Sequence, residues 1–185
     1  IYSYDDISDN WGQLGGDIDG EDAGDWFGAS VSLSSDGKIV AIGAPNNDGN
    51  GSDSGHARVY SYDDISGSWG QLGGDIDGEY SSDESGRPVS LSSDGFTIAI
   101  GAPFNDGNGS NSGHTRIYSY DNINDAWNQL GGDIDGEGVG DDSGTSVSLS
   151  ADGNVVAIGA PYNDGNGSMS GHTRIYSYDN INDEW

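Results

Sequence analysis

The chain has no cysteine, so no disulfide braces it and its redox compartment cannot be read from thiols. Basic residues are nearly missing: 5 Lys and Arg stand against 32 Asp and Glu, a formal charge of −27. Phosphate backbones are gripped by clusters of Lys and Arg, which excludes nucleic acid as a partner and an anionic membrane surface with it. No apolar run approaches the ~20 residues that a spanning helix needs, so no membrane insertion is expected. Proline is scarce, 4 residues against 33 glycines, which marks a turn-rich chain rather than a collagen or polyproline one. No i, i+3, i+4 apolar stripe predicts a helix. A charge this large repels itself, and bound cations or a salty medium would relieve it.

What is present is one sentence repeated. Trp11, Trp69, Trp127 and Trp185 stand 58 residues apart (69 − 11, 127 − 69, 185 − 127). "DIDGE" begins at Asp17, Asp75 and Asp133, and "GAP" loops rich in Asn, Asp and Gly run over 43–56, 101–114 and 159–172. A fixed period of this size signals a solenoid, propeller or array. The expected organisation is a single repeat array over 1–185, phased 12–69, 70–127 and 128–185, with 1–11 closing a preceding repeat. Apolar positions alternate too regularly for disorder.

Within a repeat, "ASVSLSS" places Val31 and Leu33 on one face and Ser30, Ser32 and Ser34 on the other, a period-two strand. Asp36–Gly37 is a two-residue hairpin signal. "KIVAIGA" is predicted to be a strand buried on both faces, "HARVYSY" a third strand and "WGQLGG" a short fourth. The predicted fold class is all-β: tandem four-stranded antiparallel blades of a β-propeller on a 58-residue repeat. A β-solenoid-like array and a β-sandwich array are the alternatives.

The stretch Asp25 to Pro45, "DWFGASVSLSSDGKIVAIGAP", carries Phe27–Gly28 and Gly43–Ala44–Pro45. It resembles the FG-GAP repeat of integrin α-subunit propellers and related secreted proteins. "GAP" stands in all three repeats, whereas "FG" becomes Ser85–Gly86 and Ser143–Gly144 in the second and third. The resemblance implies a propeller, an extracellular or cell-surface setting and frequent Ca²⁺ loops. The family's calcium loop lies between the FG and GAP strands, where this chain has only "SSDG", "SSDG" and "SADG". Its calcium residues therefore do not carry over.

In an up-and-down blade the loop after strand two and the connection after strand four emerge on one side, which gathers the GAP loop with "DIDGE". Ca²⁺ takes six to eight oxygen ligands. The expected Ca²⁺ ligands are Asp17, Asp19, Glu21 and Asp25, then Asp75, Asp77, Glu79 and Asp83, then Asp133, Asp135, Glu137 and Asp141. The Asn, Asp and Ser of the GAP loop read more simply as turn formers. Asn50, Asn108 and Asn166 each open an Asn-Gly-Ser sequon, an expected glycosylation site in a secreted chain. His56, His114 and His172 share one repeat position, as do Arg58, Arg116 and Arg174, which favours structural roles. The periodic Trp are expected in blade packing, and Trp26, which has no repeat equivalent, in an exposed contact.

The function expected is an extracellular structural or adhesive propeller segment, part of a longer array, filament or assembly. Propellers close with about 4–8 blades, and three blades leave edges that invite pairing. Residues 1–11 repeat the phase of 175–185 (175 − 1 = 174 = 3 × 58). The expected partners are therefore copies of itself or neighbouring repeats, with glycans or extracellular proteins beyond them. A carbohydrate-binding lectin is the alternative. No nucleophile–base pair or three-ligand zinc pattern stands out, so no catalysis is expected.

Overall fold

The computed structural model describes residues 1–185, and it contains strands and turns but no helix. It opens on an antiparallel hairpin, β1 (Tyr2–Asp5) and β2 (Asn10–Gln13). The first full blade runs β3 (Ser30–Leu33), β4 (Ile39–Ala44), β5 (His56–Asp63) and β6 (Ser68–Gln71), each antiparallel to the last. A short β7 (Ile76–Asp77) continues the line of β6: β5 pairs β6 through Tyr60–Asp63 and β7 through His56 and Ala57. The second blade repeats this as β8 (Val89–Leu91), β9 (Thr97–Ala102), β10 (His114–Asp121), β11 (Ala126–Gln129) and β12 (Ile134–Asp135). The third comprises β13 (Ser146–Leu149), β14 (Val155–Ala160) and β15 (His172–Ser177). The expected antiparallel blades are therefore present, with four strands and a short fifth in the first two and three strands in the third. Their sheets run past the repeat boundaries at 69 and 127, because the fourth strand extends to Asp77 and Asp135.

The core lies between blades rather than within them. All six residues of β4 are buried, as its unbroken apolar run predicts. Alternate side chains leave a strand on opposite faces, so one strand serves two seams. Ile39, Ala41, Val59 and Ile76 of the first blade pack on Val89, Leu91, Ile98 and Ile100 of the second. Ala99, Ile117 and Ile134 of the second pack on Leu149, Val156 and Ile158 of the third.

Polar contacts fix the register of each seam. Ser30 Oγ and Ser32 Oγ accept the backbone N–H groups of Val89 and Leu91 at 3.0 and 2.9 Å. Ser90 Oγ accepts that of Leu149 at 3.0 Å. Pro88 stands where the second blade would repeat Ser30, and a proline side chain offers no acceptor. These serines read from sequence as a plain polar face, but they are the hydrogen-bonding edge of the seam. The glycines of the motif meet there too. Gly28, Gly86 and Gly144 hold φ of +94°, +87° and +86°, a region glycine enters without steric cost. Gly43 of one blade lies against Gly86 of the next, and Gly101 against Gly144, so closely that a Cβ on Gly43 or Gly101 would overlap the facing carbonyl.

Candidate functional site

Each GAP loop is the bed on which the connection to the next blade lies. Asn50 Nδ2 donates to Gly78 O at 2.8 Å and Glu79 O at 3.2 Å. Backbone N–H groups of Ser82, Glu84 and Ser85 donate to Ser52 O, Asp53 O and Ser54 O. The second blade repeats the arrangement, with Asn108 Nδ2 on Gly136 O at 2.8 Å. The loop and the acidic phrase thus share one side of the blade. Inside the loop the polar side chains serve their own turn: Asn47 Oδ1 accepts from Gly49 N, and Asp48 Oδ1 from Asp53 N, each at 2.8 Å.

The sequons fall on those same amides. Asn50 and Asn108 are exposed, yet the Nδ2 that a glycan would substitute already holds the connection in place. Asn166 makes no such bond and is the freest of the three.

The four carboxylates of one "DIDGE" phrase do not converge; no three of them bring ligand atoms within 4.8 Å of one another. Asp17 accepts Gln13 Nε2 at 2.8 Å. Asp25 is buried and closes its own turn, accepting Asp22 N at 3.3 Å and Asn47 Nδ2 at 2.8 Å. Asp83 and Asp141 do the same with Asn105 and Asn163. Asp77 and Asp135 end the short strands β7 and β12, where burial raises the Asp135 pKa. Glu21 leaves its phrase to pair with Arg58.

The groups that do meet come from different phrases. Glu21, His56 and Asp75 gather in the first blade, and Glu79, His114 and Asp133 in the second. The acids are 54 residues apart (75 − 21, 133 − 79) rather than side by side. Arg58 clamps Asp75 with two bonds of 2.7 Å, Nε to Oδ1 and NH2 to Oδ2. That clamp holds the Asp75 carboxyl below its ordinary range. His56 is pushed down, first by burial and then by Arg58. In the third blade Glu137 pairs with Arg174 and lies 3.7 Å from His172.

The calcium position implied by the resemblance does not fit here. Asp36 Oδ1 accepts Ser34 Oγ at 2.7 Å and Lys38 N at 3.0 Å, closing a tight hairpin with no other carboxylate in it. Asp94 and Asp152 repeat this.

The two end faces are open and apolar. Val31 is 63% exposed, whereas its counterpart Val89 is 7% exposed. With Ile1, Ile18, Phe27 and Leu33 it lines a cleft on the front of the first blade. Ile175, on the back of the third blade, is 72% exposed, against 0% for its counterparts Val59 and Ile117. Trp26 is exposed, as expected, in a left-handed turn at φ +57°. Trp69, Trp127 and Trp185 are committed to packing: each indole N–H donates at 2.8 Å to a leucine carbonyl of the preceding blade.

The FG-GAP repeat model matches residues 18–60 and 77–118. Among curated proteins none matches the chain. Two solved structures share its fold. One is a "putative 6-phosphogluconolactonase" from Bacteroides fragilis NCTC 9343, at 14% identity and TM-score 0.54, covering 82% of this chain and 35% of that one. The other is a periplasmic gluconolactonase from Pseudomonas aeruginosa, at 16% identity and TM-score 0.51, covering 96% of this chain and 45% of that one. The chain therefore spans less than half the length of either. These neighbours correct the expectation that the chain is no enzyme, since its fold is one that lactonases use. The likeness is one of fold, and no site residue is transferred by it.

Proposed function

Residues 18–60 and 77–118 are FG-GAP repeats, and on that premise we propose that the chain is a run of propeller blades that builds a larger extracellular or cell-surface scaffold by mating its end faces with further blades. One observation carries this reading. Each open face is half of a seam that the molecule already builds twice: Val31 and Leu33 in front match Val89 and Leu91, and Ile175 behind matches Val59 and Ile117. The occupant that fits is another blade of this kind, from a second copy or a neighbouring repeat. Apolar faces of this sort drive association when a complementary surface exists.

Sedimentation of the chain over a concentration series tests the reading. The wild-type chain is expected to associate as concentration rises. Leu33→Asp, on the front, and Ile175→Asp, on the back, each block growth at one end, and an equimolar mixture of the two stops at dimers. A wild-type chain that stays monomeric throughout would overturn the assembly.

A further inference from the structure

The second blade holds a cluster that the scaffold reading leaves unused. His114 is 1% exposed, and its Nδ1 has no hydrogen-bond partner. That nitrogen lies 3.9 Å from Glu79 Oε2 and 3.9 Å from Asp133 Oδ2. At this distance an N–H on Nδ1 does not reach either oxygen, and a lone pair there faces only further acceptors. An acceptor buried among acceptors is unfavourable unless a cation stands between them.

We propose that Glu79, His114 and Asp133 form a binding site for a divalent transition-metal ion, with Zn²⁺ the best match. One imidazole nitrogen and two carboxylate oxygens suit Zn²⁺, whereas Ca²⁺ seeks an all-oxygen shell of six or more ligands. The three donor atoms already lie within 4.8 Å of one another. A tetrahedral ion with bonds of about 2.0–2.1 Å sets its donors about 3.4 Å apart, so small side-chain shifts suffice. The fourth position is left for water.

Arginine decides which blade can take the ion. In the second blade Arg116 NH1 approaches the other oxygen of the glutamate, Glu79 Oε1, at 3.5 Å, and NH2 donates to Asp77 O at 3.2 Å. In the first blade Arg58 bonds both Asp75 and Glu21 and is itself the cation of the cluster. In the third, Arg174 pairs with Glu137, and Glu137 and His172 are joined by no third donor. Only in the second blade do three donors meet with no guanidinium hydrogen-bonded to any of them, Arg116 approaching Glu79 alone at 3.5 Å. Glu79 lies on the connection between blades, His114 on β10 and Asp133 between β11 and β12, so the ion would tie connection to blade.

Zn²⁺ titrated calorimetrically into the chelator-treated chain, with Co²⁺ absorption as a report on coordination, tests the site. One ion per chain is expected, with Co²⁺ bands of a low-coordinate site. His114→Gln and Glu79→Gln should each weaken Zn²⁺ by more than about tenfold, and His56→Gln should leave it unchanged. Because His114 is buried, circular dichroism confirms that each variant is folded, and Asp133→Asn, at an exposed carboxylate, must weaken Zn²⁺ as well. Unsaturable binding, or an affinity that all three variants leave intact, would overturn the proposal. These outcomes are independent of whether the chain assembles.

Discussion

Trp127 reaches back across the seam to donate its indole N–H to the carbonyl of Leu72 at 2.8 Å. The same bond joins Trp69 to Leu14 and Trp185 to Leu130. Trp11 has no blade behind it and is 63% exposed. Replacing Trp127 by Phe keeps an aromatic ring and removes the donor, for an expected loss of about 1 kcal/mol. Trp11→Phe should change stability by less than about 0.5 kcal/mol. Urea unfolding of the two variants checks the contrast, and equal losses would contradict the seam role.

The facing glycines make a second contrast. Gly43 meets the Gly86 carbonyl across the seam, whereas Gly159, its equivalent in the third blade, faces only the rotatable Ser146 hydroxyl. Gly43→Ala is expected to destabilise by about 1–3 kcal/mol through overpacking. Gly159→Ala should cost clearly less. Thermal melts of the two single variants measure the difference.

Ile1 and Tyr2 of the hairpin at residues 1–11 line the front cleft, in the phase that residues 175 and 176 hold in the third blade (175 − 1 = 3 × 58). An incoming third blade must displace them. A chain beginning at Gly12 should therefore associate more tightly than the full 185 residues. Sedimentation of both forms reads this directly, and weaker association of the shortened chain would argue against docking at that face.

Acid should release one clamp. The Arg58 hydrogen bonds hold the folded-state pKa of Asp75 below its unfolded value of ~3.9. The folded state then binds fewer protons, so the clamp contributes its full stability above that value and loses it as pH falls through the folded pKa. Melts between pH 6 and about pH 2 should show a drop below about pH 4 that is shallower in Arg58→Gln. A drop of unchanged depth would place the acid sensitivity elsewhere.

The blades were legible in the sequence because their signals are local. Alternation in "SVSL", the Asp36–Gly37 turn and the unbroken "IVAIGA" each act within a few residues. The seams were not legible, because polarity reads as solvent. Ser30 and Ser32 alternate with Val31 and Leu33 as a solvated face would, and only a neighbouring strand 59 residues on supplies the N–H groups they accept. The acidic clusters were missed for a related reason. Asp17, Asp19 and Glu21 alternate as if to converge, yet Glu21 turns to Arg58 and meets Asp75. What the phrase does share with the expectation is its side of the blade, where Asn50 binds Gly78 and Glu79.

Because the front face and the back face are different halves of one seam, a joined pair presents the same two halves that a single copy did. In the proposed assembly each addition would then contribute the same free energy, whatever the size of the growing body, and lengths would follow an isodesmic distribution set by concentration and that free energy. Such head-to-tail contacts close only if the rotation between units returns the last face to the first. The angle set by Ser32 on Leu91 and by Gly43 on Gly86 is therefore a counting device: small changes at these backbone contacts alter how many blades complete a turn, without altering any blade.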